Sequence, residues 1–363
     1  MQLSEVKYDC LFFRGHIPCK PNKVSGELCP NCTSYKKVSK KILIIKLGAM
    51  GDVIRTTPLL TKFNELYPDC HITWVTLTPD ILPKGKIQQI YKWDETSVFV
   101  LQNAEFDIAL NLDKEPEACM LLQKVKSKEK YGFSWGDGHI QPATEKATHK
   151  LLTGFFDSLS IANTKSYLEE IFEICHFEFQ GEQYLMDVNS EFDQKWSELI
   201  SKEAKGKKII GLNTGAGDRW PTRFWQTESW EELIQKLQKA DYFPVVLGGP
   251  AEDARNQIYA KNTGCYYPGV HPLKEFIAIA NQMDTIVSAV SMMMHIAMAL
   301  KKPLVLFNNI FNKHEFEMFN RGVIVEPDSG CECFYGNSCD RERHCMLDLS
   351  AQKVFDAVVE WSE

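Results

Sequence analysis

"KILIIKLGAMGDVIRTTPLL", residues 41–60, runs from β-branched and aliphatic residues into two glycines three apart, with an aspartate directly after the second. A continuous apolar run of this kind reads as a strand buried on both faces. Gly48 and Gly51 let the chain turn sharply and come close to a ligand. The spacing is not the dinucleotide fingerprint G-x-G-x-x-G, and the acid arrives too soon to reach a ribose as in that motif. Asp52 therefore has two readings. It is either a helix N-cap that accepts backbone N–H groups, or a general base at the carboxyl end of a strand.

Outward from this stretch the chain alternates between strand and helix patterns. Asp52–Tyr67 reads as a helix bent or delayed by Pro58. "HITWVTL" (71–77) and "FDIALNL" (106–112) read as buried strands, with helices near 114–126, 148–161 and 167–176. A polar helix near Ser190–Glu203 leads into the charged linker "KEAKGKK" (202–208), and the rhythm then restarts. "KIIGLNT" (208–214), "YFPVVLGG" (242–249), "TIVSAV" (285–290) and "PLVLFN" (303–308) are strands. Helices are predicted at Thr227–Lys239, near 251–261 and 272–281, and at Ser291–Leu300. The amphipathic ending "SAQKVFDAVVEW" (350–361) is a final helix, expected to cross back and brace the first domain.

Two β/α series predict an α/β protein of two doubly wound domains facing each other across a cleft. The predicted boundaries are a cysteine-rich segment at 1–38, a first Rossmann-like domain at 39–188 and a linker helix at 189–206. A second Rossmann-like domain at 207–346, which includes the later cysteines, and the bracing helix at 347–363 complete the chain.

The 363 residues carry 44% hydrophobic and 25% charged side chains, ordinary for a globular chain of two domains. A net charge of −7 argues against a general nucleic-acid binder. "MQLSEVKYDC" lacks the apolar core of a signal peptide. "TIVSAVSMMMHIAMAL" is too short and too polar for a bilayer span. A cytoplasmic protein is expected, with peripheral association at the inner membrane surface left open.

Further motifs supply candidate chemistry. In "GLNTGAGDRWPTRFWQTESWEELI" (211–234), Thr214 and Gly215 open a loop of small residues and Arg219 and Arg223 follow, a composition suited to a diphosphate. A surface loop with its arginines paired to acids is the plainer reading. Thr227 is a cap candidate, and Trp230 is expected to turn inward. Ser291 is placed to cap a helix whose first turn, with Met292, would favour an anion, and His295 lies on the same face. The methionines there read as core. Glu252, after Gly248 and Gly249, is placed at a rim where a carboxylate accepts ribose hydroxyls. Lys46 and Arg55 flank the opening turn and are candidates for an anionic acceptor, together with Gly51.

Twelve cysteines without an export signal do not read as a disulfide framework. Cys10, Cys19, Cys29 and Cys32 end in a C-x2-C knuckle, and Cys331, Cys333, Cys339 and Cys345 form a second set. Either set, or the two together, suits a structural zinc, iron or iron–sulfur centre.

From Lys41 to its end the chain resembles glycosyltransferase family 9, the ADP-heptose:lipopolysaccharide heptosyltransferases. The similarity is carried by "ILIIKLGAMGDVIRTTPLL", "GLNTGAGDRWPTRFWQTESWEELI" and "VSAVSMMMHIAMALKKPLVLF". "CFYGNSCDRERHCMLDLSAQKV" resembles a cysteine-containing ending found in a subset. The resemblance implies a GT-B fold and inverting transfer from a nucleotide sugar without a catalytic metal, with ADP-heptose as default donor. It implies a glycan or lipid-linked sugar as acceptor. By position, Asp52 would be the base, Arg223 with Trp225 would contact donor phosphates, Ser291–Met292 would hold the diphosphate and Glu252 the ribose. The donor motif departs from the family pattern: Val290 and Met292 stand where an acid and a glycine are usual. "RFWQ" likewise replaces the usual Lys-Arg/His-Trp-Pro. The alternatives are a non-catalytic nucleotide-sugar or glycan binder, a transferase with another donor or a protein acceptor, and a metal-dependent redox module.

Overall fold

The computed structural model describes residues 1–217 and 219–362. They form two units, each built on its own sheet. The first comprises Met1–Ala49, Thr56–Phe155 and Glu169–Glu182, and the second Met50–Arg55, Phe156–Leu168 and the chain from Gln183 onward.

The first sheet contains β1 (Lys41–Ile45), β2 (His71–Thr76), β3 (Gln89–Lys92), β4 (Glu105–Asn111), β5 (Lys126–Gly136) and β6 (His139–Pro142). Its order is β3-β2-β1-β4-β5-β6, parallel except for the β5–β6 hairpin. Ile42–Ile45 are fully buried because β1 is central, paired with β2 on one side and β4 on the other. Each such side chain contributes about 1.5–3 kcal/mol through burial. The chain winds outward from β1 to β3 and then returns beside β1 as β4, which makes the carboxyl ends of β1 and β4 a topological switch point.

The second sheet contains β7 (Ile209–Asn213), β8 (Phe243–Leu247), β9 (Thr285–Ala289), β10 (Leu304–Phe307) and β11 (Gly322–Val325). Its order is β11-β10-β9-β7-β8, all parallel. Its switch point lies between β7 and β9, where Asn213 is in register with Ser288. The doubly wound expectation for each half is met by these two sheets.

Several details differ from the expectations. Pro58 splits the predicted Asp52–Tyr67 helix into Met50–Ile54 and Pro58–Leu66, because proline suits only the first turn of a helix. Thr227 is the first helical residue of Thr227–Lys239, and Gln226 is its N-cap. The hairpin of β5 and β6 was not anticipated. "KSKEKYGFSWG" keeps most of its first half exposed or half-exposed and so shows no apolar run. The last helix, Ala351–Ser362, belongs to the second unit: Val354 and Val358 pack in one core with Leu233 and Leu237. Its apolar stripe is spent on its own sheet, where Thr285 Oγ1 and Ser362 Oγ share a hydrogen bond at 2.9 Å. The predicted linker helix, Ser190–Ala204, is also part of the second unit, where Asp193 Oδ1 accepts from Asn281 and Gln282. Among the described residues no helix is long and apolar enough to cross a membrane.

Candidate active site

Asp52 is the third residue of the helix Met50–Ile54, inside its first turn and past the N-cap position. Its side chain is 35% exposed and pairs with Arg55 Nη2 at 2.7 Å. Arg55 is far less open: its guanidinium lies 3.3 Å from the centroid of the Tyr167 ring. Burial works against the charge of Arg55. Asp52 first, then Tyr167, Glu315 and Tyr184, together outweigh it and hold the guanidinium above its usual range.

The helix Met292–Ala299 packs against this turn. Ser291 occupies its N-cap position but makes no side-chain capping bond. Its hydroxyl instead shares a hydrogen bond with Ser288 Oγ at 3.2 Å and accepts from Asn213 Nδ2 at 3.4 Å. Asn213 Nδ2 also donates to Gly215 O at 2.8 Å, so one amide ties the ends of β7 and β9 together at the switch point. The expected serine cap is therefore replaced by an asparagine-centred network that leaves the first-turn amides without a side-chain cap.

His295 lies on Gly51, where a Cβ would sit 2.5 Å from its Cδ2. Gly51 thus lets the two helices meet by having no side chain. His295 is buried, and burial, then the Arg55 charge, press its pKa down to about 3 against the opposing pull of Asp52. The folded protein then holds a neutral imidazole, whereas the unfolded chain binds a proton near pH 6.5. Stability is unaffected by this group above pH 6.5 and falls by about 1.4 kcal/mol per unit as pH drops towards 3. His295→Gln is expected to flatten that slope, making the variant's relative stability about 2 kcal/mol better at pH 5 than at pH 7. Denaturant titrations of both proteins at the two pH values check this, and parallel slopes would contradict it.

The arginine loop leaves β7 at Thr214 and Gly215. Arg223 is buried, with Nε donating to Trp220 O at 3.3 Å, Nη1 to Val290 O and Nη2 to Ala216 O and, at 3.5 Å, Gly217 O. It clasps the loop after β7 to the residue before the Ser291 turn. Burial lowers its pKa to about 10. Arg219 is exposed and stacks on Trp220, its Cζ 4.3 Å from the ring centroid. Trp225 is core, donating to Leu349 O at 2.8 Å and packing on Trp230 and Phe307.

Glu252, expected at a rim, is buried: its Oε2 accepts from Gly249 N at 2.8 Å. A Cβ on Gly215 would meet its carboxyl carbon at 2.5 Å, so the carboxylate lies across the loop after β7. Beside it Thr214 Oγ1 donates to Asn256 Oδ1 at 2.6 Å, while Asn256 Nδ2 and Arg255 Nε are buried without partners among the described residues.

In the first unit Lys46, an acceptor-site candidate, is buried and tied to Asp113 and to Gly48 O at 2.7 Å. Asp113 also accepts from Leu47 N. The pair closes the switch point between β1 and β4, and burial raises the Asp113 pKa against the pull of Lys46.

Cys10, Cys19, Cys29 and Cys32 line one cavity of about 30 Å³ with Glu27, which accepts from Cys32 Sγ at 3.2 Å. Near the chain end the Cys331 thiol meets Cys345 and that of Cys333 meets Cys339, while Cys333 N donates to Cys331 Sγ at 3.4 Å. Among the described residues no group of three or more cysteine, histidine, aspartate or glutamate side chains is gathered closely enough to hold a metal. The first four thiols line a shared cavity, and the second four are linked through Cys345–Cys331, Cys331–Cys333 and Cys333–Cys339 contacts, a donor chemistry that suits a thiophilic ion.

The structure brings Gly51, Asp52, Arg55, Thr214, Gly215, Arg223, Ser291 and His295 into one connected network in the second unit. Sequence reasoning missed Asn213, Tyr167, Tyr184, Glu315 and Tyr335. Only Asn213 had a visible signal, as a polar residue closing a buried strand run.

The family model described as glycosyltransferase family 9 (heptosyltransferase) matches residues 100–317. The lipopolysaccharide core heptosyltransferase OpsX of Haemophilus influenzae is 20% identical over 291 residues, 75% of this chain and 79% of that protein. Among solved structures, a family 9 glycosyl transferase from Veillonella parvula superposes with a TM-score of 0.68 at 18% identity, covering 90% of this chain and 97% of the other. The iron-containing dodecameric glycosyltransferase TibC of enterotoxigenic E. coli gives 0.52 at 13% identity, covering 90% and 76%. With two α/β sheets of mostly parallel strands and a family match over more than half of its length, the chain belongs to glycosyltransferase family 9.

Proposed function

We propose that this chain is an inverting heptosyltransferase, moving heptose from ADP-heptose onto a lipopolysaccharide-type sugar with no catalytic metal. The observation that carries the reading is Asp52: a part-exposed carboxylate, paired with Arg55, on a helix packed against the helix that begins at the second switch point. The acceptor hydroxyl oxygen attacks the anomeric carbon and gives its proton to Asp52. The bond from that carbon to the diphosphate breaks, and its electron pair leaves with the nucleoside diphosphate. Arg219 and the amides after Ser291 meet the growing negative charge. Arg223 and Asn213 shape the two loops that present those groups, and Thr214, Gly215, Glu252, Met292 and His295 complete the donor side. Val290 and Met292, in place of an acid and a glycine, put the donor-sugar contacts on other groups and favour a donor panel over a single assay.

TibC is described as containing iron and has been seen with ADP-D-β-D-heptose. A structural zinc or iron ion held by Cys10, Cys19, Cys29 and Cys32, or by Cys331, Cys333, Cys339 and Cys345, would lock those loops and take no part in the transfer. Work at the cytoplasmic membrane face, where a lipid-linked acceptor is presented, fits this reading.

A thermal-shift screen of nucleotide sugars tests the donor. ADP-heptose is expected to raise Tm more than UDP- or GDP-sugars, through mass-action linkage. Metal analysis of the same preparation is expected to find about one zinc or iron ion per chain. A non-catalytic binder would show the Tm rise with neither transfer nor hydrolysis of any donor in the panel.

A further inference from the structure

Arg55 was a candidate for the acceptor, yet its surroundings describe a different task. Its side chain is 14% exposed, against 35% for Asp52. One face is covered by Tyr167. The segment that carries Tyr167 is held in place by Asn312, whose Nδ2 donates to Ser160 O at 2.7 Å and to Asn163 O at 2.6 Å. Asn312 also begins the turn Lys313–Glu315, so the same residue sets Glu315 near the guanidinium. Glu315 Oε1 is engaged by Tyr335 O–H at 2.9 Å. From other sides stand Tyr184, whose ring contacts His295 and Phe319, and His295 itself, which is neutral. The Glu317 charge acts on Tyr184 at longer range.

Four separate chain segments, carrying Tyr167, Tyr184, His295 and Glu315, thus build a cage for one guanidinium. Inside it, Asp52 is the carboxylate within ion-pair distance, and Glu315 acts at longer range. A residue so enclosed is badly placed to greet a substrate and well placed to govern its neighbour. The planar fork fixes a carboxylate's orientation as a lysine ammonium cannot.

We propose that Arg55 is the positioning residue of Asp52, setting the orientation of its carboxylate and keeping it ionised so that it can accept the hydroxyl proton. The inference rests on the reading of Asp52 as base. A cation within a few ångströms of an aspartate lowers its pKa by about 1–3 units, and loss of the cation returns that range.

The test is the pH dependence of kcat in wild type, Arg55→Gln, Arg55→Lys and Asp52→Asn, with donor KM measured alongside. Arg55→Gln is expected to move the acid limb of kcat upward by about 1–3 pH units and to lower kcat on the plateau, with donor KM within about twofold of wild type. Arg55→Lys keeps a charge and loses the fork, so its acid limb stays near wild type while kcat falls. Should Arg55→Gln fail to fold, Arg55→Lys still decides: wild-type kcat there would overturn the positioning role. An acid limb unmoved in folded Arg55→Gln would overturn it too, provided Asp52→Asn is inactive. Transfer surviving in Asp52→Asn would instead sink the base assignment itself.

Discussion

Asp52→Asn is expected to lower kcat for sugar transfer by about 10²–10⁴-fold, the usual contribution of a positioned general base. The substitution is informative because the plainer role gives the opposite result. Asparagine caps helices as well as aspartate does, so a capping Asp52 would tolerate the change almost unnoticed. The structure already places the residue past the N-cap, with Arg55 as its partner. The neutral amide leaves the Arg55 charge less well balanced in its cage, and a stability loss of about 1–3 kcal/mol follows. Donor binding, read by the thermal shift with ADP-heptose, is expected to persist because the groups assigned to the diphosphate are untouched. A variant that retains more than about a tenth of wild-type kcat would remove Asp52 from the chemistry.

Much of this was legible in the chain, for physical reasons that differ from element to element. β1 and β9 were plain because central parallel strands must be apolar on both faces, and Ile42–Ile45 and Ile286–Val287 are fully buried. β5 was hidden because its outer half faces water and its lysines carry no apolar period. The opening turn was legible through two glycines and an acid, and Gly51 is now explained by the imidazole lying on it. What lay beyond local pattern were the contacts that join distant segments. Nothing near Arg55 in sequence points to Tyr167, and nothing near Lys46 pairs it with Asp113. Both cations looked substrate-facing because lysine and arginine usually are; Lys46 proves to be buried beside a distant acid, and Arg55 is largely enclosed beside Asp52 by residues far away in sequence. The last helix was read correctly as amphipathic, but a stripe of valines does not say which sheet it covers.

Arg223→Met is expected to destabilise the protein by about 3–5 kcal/mol, the scale for breaking a buried charged network. The guanidinium serves carbonyls at Ala216, Gly217, Trp220 and Val290, and methionine fills the space without donating to any of them. Those buried acceptors then lose about 1–3 kcal/mol each before relaxation, so the sum is capped by how far the loop opens. In a unit of this size the change corresponds to a Tm fall of roughly 6–20 °C. Donor affinity is expected to weaken at the same time, by about 10–100-fold, because the clasp sets the loop after β7 against the residues before Ser291. Arg223→Lys keeps the charge but has no planar fork to span two loops, and its effect should lie between wild type and methionine. The pairing of the two readouts is what decides the role. A phosphate-contacting arginine would lose donor affinity at nearly unchanged Tm, whereas a clasp loses both together. The donors of Arg223 already committed to backbone carbonyls argue for the clasp, and they leave Arg219, exposed and stacked on Trp220, as the cation of this loop open to the diphosphate.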